Sequence, residues 1–374
     1  MISISLCMIV KNEEAVLARC LESVGAVADE IVIVDTGSTD RTVEIARQFT
    51  DRIFHFDWID DFAAARNYAF AQASQPYILW LDADDILLRQ DQQKLLELKT
   101  SLDPETDSVS MLYNLSTDEF GNVSFSLRRN RLVKRNRQFR WIGPVHEYLE
   151  VGGHIISSDI AITHAPGAED VDSDRNMRIY EKRRDAGERF SSRDQYYYAN
   201  ELKDHRRYVE ASRMYEQFLI GGEGWVEDEI TACGKLADCY LEIGNRKLAL
   251  EAALRSFHYG APRAEACCRI GYHYLNQDDV SAAIAWYRFA TQLPQPDTWG
   301  FANPACSTWL PHLQLCVCYD RLGQYDLAHA HNEQALTYRP SDTRMLANRS
   351  YLVNRLTTAF ESATATKEAI LDEH

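Results

Sequence analysis

The chain has 374 residues, 45% of them hydrophobic, which is enough for two or three packed domains. With 40 Lys and Arg against 56 Asp and Glu its net charge is −16, which argues against a general binder of nucleic acid or of anionic membrane. No apolar run approaches the roughly 18 residues of a membrane-spanning helix, so no transmembrane segment is expected. Residues 1–10 lack the early basic charges of a secretory signal. The nine cysteines are an odd number without paired Cys-x-x-Cys zinc motifs, and seven of them (Cys233, Cys239, Cys267, Cys268, Cys306, Cys316, Cys318) fall in the second half. Small buried thiols are the ordinary use of cysteine in a reduced protein, so the sequence predicts a cytoplasmic location.

Residues 2–10 are apolar enough for a central strand, and Lys11-Asn12-Glu13-Glu14 follows at its C-terminal end. Residues 15–24 then carry Val16, Leu17, Leu21 and Val24 at helical spacing. A second strand, 30–35, ends in Asp35. Thr36-Gly37-Ser38-Thr39-Asp40 turns the chain, with Asp40 as N-cap of a helix over 41–49. A third strand over 52–56 and a helix over 63–73 lead to Tyr77-Ile78-Leu79-Trp80-Leu81. That run reads as a buried strand delivering Asp82, Asp84 and Asp85 at its C-terminal end. The β-α-β-α-β-α-β alternation predicts an α/β domain with a mostly parallel, Rossmann-like sheet and right-handed crossovers. Such sheets bind ligands beyond the C-terminal ends of their strands.

Asp82 and Asp84 are two residues apart, so in extended backbone they leave on the same face. Convergent carboxylates repel unless a cation lies between them or between them and a phosphate. A hard divalent ion such as Mg2+ suits that arrangement, with one or two carboxylates, several waters and the substrate's own phosphates as ligands. An acidic, solvated turn is the other reading of Asp-x-Asp taken alone. Glu13 and Asp35, at neighbouring strand ends, can accept hydrogen bonds from ribose hydroxyls or a base N–H. Arg66 and Asn67, early in their helix, are candidates to hold a diphosphate, with a surface ion pair as the competing role of Arg66.

The run Cys7-Met-Ile-Val-Lys-Asn-Glu-Glu14, followed by Ile31-Val-Ile-Val-Asp-Thr-Gly-Ser-Thr-Asp-Arg-Thr42, resembles the family 2 glycosyltransferases with the GT-A fold. Trp58-Ile-Asp-Asp-Phe-Ala-Ala-Ala-Arg-Asn67 and Leu81-Asp-Ala-Asp-Asp85 continue the likeness in the expected order. The resemblance implies a nucleotide-sugar site lined by Val10, Glu13, Asp35, Arg66, Asp82 and Ala83. It implies Asp82 near the ribose and Asp84 on a Mg2+ or Mn2+ ion. The likeness is to the branch with a tetratricopeptide tail, which includes bacterial peptide S- and O-glycosyltransferases.

Further on, a helix over 92–99 and strands over 108–115 and 122–127 are expected. Residues 128–140 then hold seven basic residues in thirteen. Most of these read as a solvated face, and a share of them suits a diphosphate leaving group or an acidic acceptor. Trp141-Ile-Gly-Pro-Val-His146-Glu147 and Ile160-Ala-Ile-Thr-His164 resemble acceptor-side motifs of the same glycosyltransferase branch. Transfer with inversion needs a base for the acceptor's proton. Glu147 is the first candidate and Asp85 the reserve. His164 can complete the metal shell, because imidazole ligates Mn2+ alongside carboxylates, or it can be a structural residue at a strand end. His146 is a candidate to orient Glu147 or the acceptor.

The second half repeats. Tyr240 and Ala249 recur 34 residues later as Tyr274 and Ala283. Tyr319 and Ala328 repeat the pair after a Pro- and Trp-rich insertion over 293–307, and Leu202 and Ala211 start the series. With Gly244 and Gly323 at the turns, this period resembles tetratricopeptide repeats. Stacked helix pairs form a concave surface suited to a peptide, while scaffolding and homodimerisation are its other uses. The expected division is a GT-A domain over 1–168, a linker helix over 169–193, an all-α repeat domain over 194–345, and a terminal helix with a polar tail over 346–374. The expected activity is metal-dependent, inverting transfer of a sugar from a UDP-sugar to a peptide or protein acceptor. The alternative is a repeat adaptor whose glycosyltransferase-like half binds nucleotide without reacting.

Overall fold

A computed structural model describes residues 1–119, 121, 123–167, 174–294 and 303–372, with side chains to residue 358. The described chain forms two compact units. The first holds Met1–Ser116 and Phe125–Glu201, and the second holds Thr117–Ser124 and the described chain from Leu202 onward.

In the first unit, β1 (Ile4–Val10), β2 (Glu30–Asp35), β3 (Ile53–His55) and β4 (Tyr77–Trp80) are parallel, with β1 between β2 and β4. Helices α1 (Leu17–Val24), α2 (Thr42–Ala46) and α3 (Phe62–Gln72) connect them. Side chains of β1 alternate between two apolar layers. Ile4, Leu6, Met8 and Val10 pack in one core with Leu17, Leu21 and Val24 of α1. Cys7 packs in the other with Val34, Trp80 and Ala63 and Ala69 of α3. Coverage on both faces is why β1 and β2 read as continuous apolar runs.

The chain continues through β5 (Asp85–Leu87), α4 (Arg89–Ser101), β6 (Ser108–Thr117), β7 (Val123–Lys134), β8 (Arg140–Ile142), β9 (Tyr148–Glu150) and β10 (Ile155–His164). The eight-stranded sheet has the order β3-β2-β1-β4-β7-β6-β10-β5, and β8 and β9 form a separate hairpin. β7 runs antiparallel to β4, β10 parallel to β6, and β5 antiparallel to β10. The sheet is therefore mixed, with its parallel half carrying the motifs.

Two elements differ from the sequence expectation. The helix expected over 41–49 is only Thr42–Ala46, because i→i−3 bonds from Gln48 and Phe49 tighten its end into a turn. The strand expected to stop at 127 runs to Lys134, since pairing with β4 sets Leu132 and Val133 opposite Leu79 and Ile78 in the core. Much of the basic run thereby becomes tethers rather than a solvated face. Arg128 donates to Ser158 O (2.8 Å), Arg135 to Gln75 O (2.8 Å), and Arg137 pairs with Asp107 (3.4 Å).

Helices α5 (Arg175–Asp185) and α6 (Ser192–Asp204) follow. Then come α7 (Tyr208–Gly221), α8 (Val226–Glu242), α9 (Arg246–Arg255), α10 (Ala264–Leu275), α11 (Val280–Gln292), α12 (Trp309–Arg321), α13 (Tyr325–Tyr338) and α14 (Thr343–Asp372). The first unit extends to Glu201 and so includes α5 and most of α6. The repeat shows in its turns. Arg206, Gly244, Asp278 and Gly323 all have positive φ, at 59°, 85°, 58° and 71°. The next N–H closes each turn onto Leu202, Tyr240, Tyr274 or Tyr319 O at 2.8, 2.8, 3.1 and 2.9 Å. The small residues Ala211, Ala249, Ala283 and Ala328 are buried. Of the Pro- and Trp-rich insertion, residues 295–302 lie outside the described residues. α14 continues past residue 360, through an Ala-, Glu- and Lys-containing stretch of good helix formers. All nine cysteines are free and buried, and no described helix is long and apolar enough to cross a membrane.

Candidate active site

The strand ends of β1 and β2 are laced together by their loops. Asn12 N–H donates to Ser38 Oγ (2.9 Å), Glu13 N–H to Thr42 Oγ1 (2.7 Å) and Glu14 N–H to Asp40 Oδ2 (3.1 Å). Asn12 Oδ1 in turn accepts the Thr39 N–H (2.8 Å), with Asn12 itself at φ 56°. This is why the Lys-Asn-Glu-Glu and Thr-Gly-Ser-Thr-Asp segments occur together. Asp35 is buried and accepts the N–H groups of Gly37 and Ser38, each at 3.1 Å. Val10 and Ala83 bury their side chains and can offer only backbone to a ligand. Burial, then the charges of Asp84 and Asp82, push Glu13 up to about 7, so Glu13 shares an electrostatic site with the Asp-x-Asp segment.

Sheet register brings His164 to the same place. β10 pairs with β5 so that His164 lies opposite Asp85. His164 Nδ1 is 3.5 Å from Asp84 Oδ2, 3.9 Å from Asp85 Oδ1 and 3.3 Å from the Tyr113 hydroxyl. The hydrogen bond to Asp84, with the nearby carboxylate charges, raises the His164 pKa. One ligand atom from each of Asp84, Asp85 and His164 lies within 4.8 Å of the others. Asp85 Oδ1 is buried without a hydrogen-bond partner. Two carboxylates and an imidazole, one oxygen of them unsatisfied, fit a divalent ion of the Mg2+ or Mn2+ kind.

Arg66 turns out to be a strut. The residue is 8% exposed, and its guanidinium lies 5.1 and 4.9 Å from the Trp80 and Trp141 ring centroids. Nη2 bonds Asp82 Oδ1 and Nε bonds Glu147 Oε1, both at 2.6 Å. Burial pushes the Asp82 pKa up, but Arg66 and then Arg131 outweigh it and hold the carboxyl down to about 2. Neighbouring Asn67 exchanges two 2.9 Å bonds with the Trp141 backbone, which fixes the start of the Trp141–Glu147 segment. Asp85, also a strand-end residue, is fully buried. Its Oδ2 accepts the Asp82 N–H (3.0 Å) and pairs with Arg131 (3.0 Å).

Arg131 and the clamp on His146 were not singled out from sequence. Arg131 alternates with Val133 on the core face of β7, and that period-two placement is the one signal that it points inward. The partners of His146 lie on α6, some 50 residues on, and no local pattern marks them.

A parallel strand edge rimmed by carboxylates, a cluster of two carboxylates and an imidazole, and a helical repeat tail thus occur in one chain. The family model "Glycosyl transferase family 2" matches residues 5–149, and a tetratricopeptide repeat model matches 264–295. A TPR repeat-containing protein of Synechococcus elongatus is 31% identical over 91% of this chain and 76% of its own length. The SPbeta prophage-derived glycosyltransferase SunS of Bacillus subtilis is 31% identical over 37% of this chain and 33% of its own length. The lipopolysaccharide core biosynthesis glycosyltransferase LpsC of Rhizobium meliloti is 38% identical over 25% of this chain and 35% of its length. Among solved structures, the MamA protein covers 49% of this chain at 19% identity with a TM-score of 0.38. The chain belongs to the family 2 glycosyltransferases that carry tetratricopeptide repeats.

Proposed function

We propose that this glycosyltransferase moves a sugar, with inversion, from a UDP-sugar to a peptide or protein side chain. Glu13 and Asp35 contact the nucleoside, Asp82 the ribose, and Glu147 takes the acceptor's proton. Asp84 and His164 hold Mg2+ or Mn2+, with Asp85 behind them. A cation there supplies neutralisation of charge on the departing diphosphate. Of the two candidate bases Glu147 is preferred. Asp85 is fully buried and committed to Arg131 and a backbone N–H. Glu147 gives Oε1 to Arg66 and keeps Oε2 to receive a proton.

The observation that carries the reading is the single cation bridging Asp82 and Glu147, which supports a donor-side and an acceptor-side carboxylate working at one centre. The repeat domain supports an extended peptide as the acceptor. The test is donor turnover by purified protein with Mn2+ and a panel of UDP-sugars. Asp84→Ala should abolish UDP release while leaving the far-UV spectrum and melting temperature unchanged. Full turnover by that variant in chelator-treated buffer would refute the metal assignment.

A further inference from the structure

The segment Pro144–Glu147 is pinned from several directions. Pro144 O accepts the N–H of Phe62 (2.9 Å), and Glu147 is held by Arg66. Between them, His146 has φ 50°, a left-handed conformation that a non-glycine residue keeps only when its surroundings impose it. The surroundings come from α6. Arg193 donates Nε and Nη2 to His146 O at 3.1 and 2.9 Å. The Tyr197 ring stacks on the imidazole with centroids 4.4 Å apart at 17°. Glu201, 8% exposed, sets Oε1 2.7 Å from His146 Nε2, and Asn176 Nδ2 reaches the same oxygen at 3.2 Å. The family match ends at residue 149, so these α6 groups stand outside it.

A carboxylate can only accept. Glu201 therefore keeps the proton of a neutral imidazole on Nε2 and leaves Nδ1 with a lone pair. Nδ1 has no hydrogen-bond partner among the described residues. We propose that Glu201 is a positioning residue of the acceptor site: it fixes His146 as the Nε2–H tautomer, so that Nδ1 accepts the hydrogen bond of the incoming nucleophile beside Glu147. The inference rests on the transferase reading above. It adds α6 to the catalytic apparatus and asks that the acceptor atom carry a proton, as a hydroxyl, thiol or amide does.

The full chain, labelled with 15N-histidine, is compared with Glu201→Gln, His146→Gln and the double variant. Gln keeps the shape of Glu201 but can turn its NH2 toward the ring and so admit the other tautomer. Turnover is read as Mn2+-supported hydrolysis of UDP-glucose, UDP-galactose and UDP-N-acetylglucosamine, with water standing in for the acceptor. Glu201→Gln is expected to mix the His146 tautomers in the 15N spectrum. It should lower kcat roughly tenfold or more with KM for the donor unchanged. In the His146→Gln background it should cost nothing further, a result that a merely structural Glu201 would not give. An unchanged tautomer, an unchanged kcat, or equal losses in both backgrounds overturns this inference alone. A wild-type chain inert toward all three donors overturns the transferase reading instead.

Discussion

Arg131 has no exposed surface. Its guanidinium lies 3.9 Å from the Trp80 ring centroid and 4.4 Å from that of Tyr113, and its partner Asp85 is equally buried. Replacing it with Met keeps most of the apolar contact but strands the carboxylate. Removing one member of a buried pair costs about 3–5 kcal/mol, and loss of the cation–aromatic contacts adds about 1 kcal/mol. The cost should depend on pH. Burial raises the Asp85 pKa in the folded chain, Arg131 opposes that rise and Asp82 adds to it. Without Arg131 the folded pKa climbs further above the unfolded one, so the folded state binds the extra proton and loses stability as pH rises above about 4. Arg131→Met should therefore be mild near pH 4 and cost its full amount at pH 8. The assay is urea unfolding followed by amide exchange on peptides covering 77–87 and 123–134, which reads the first unit separately. Adding Asp85→Asn should recover most of the loss. A penalty under about 1 kcal/mol, or one that ignores both pH and the second substitution, would show that this pair is not what holds β7 to β4.

Two further expectations concern the second unit. His312 and His331 meet Nδ1 to Nδ1 at 3.0 Å, and burial together with the His331 ring pulls His312 from 6.5 down to about 4. The unfolded chain binds the extra proton, so stability is complete above pH 6.5 and drains as pH falls toward 4, by about 1–2 kcal/mol after allowing for partial exposure. His312→Phe should flatten that limb in thermal melts between pH 4 and 7.5, and an unaltered limb would count against the pair. At Gly271, an added Cβ would sit 2.9 Å from the Tyr287 ring, which is 1% exposed. Overpacking of about 1–3 kcal/mol should exceed the helix-propensity gain of about 1 kcal/mol, so Gly271→Ala should destabilise the α10–α11 pair, and a higher melting temperature would contradict this.

What was legible in the sequence was what local spacing encodes. The alternation of β1 and the carboxylates closing β2 and β4 stand in a handful of consecutive residues, and those strands form where expected. The repeats were visible because every unit needs the same left-handed turn four residues after its Leu or Tyr, and at 244 and 323 that turn is glycine. Asp278 and Arg206 make the same turn without a glycine to announce it. Long-range pairing was not legible. A run of seven cations looks the same whether it faces water or a neighbouring strand. Apart from its period-two placement with Val133, it takes the folded sheet to show that Arg131 is interior while Arg140, in the β8–β9 hairpin, is exposed. Arg66 stood out in the sequence as a candidate to hold a diphosphate, but the carboxylates it bonds lie 16 and 81 positions away.

The distribution of cations over the acidic rim explains where a ligand's positive charge would gain most. Arg66 serves Asp82 and Glu147, and Arg131 serves Asp85. Asp84 is left with His164, and Glu13 feels Asp84, Asp82 and Asp40 against the weaker opposition of Arg175. The upward shift of Glu13 and the raised pKa of His164 are two readings of the same surplus of negative charge. A half-buried rim that holds such a surplus is unfavourable to the folded chain alone and favourable once a counter-charge arrives. The two arginines sit against aromatic rings and are already paired with other carboxylates. The surplus therefore falls at Asp84, two residues from the carboxylate that shares Arg66 with Glu147. Through Arg66, that charge is tied to the placement of Glu147.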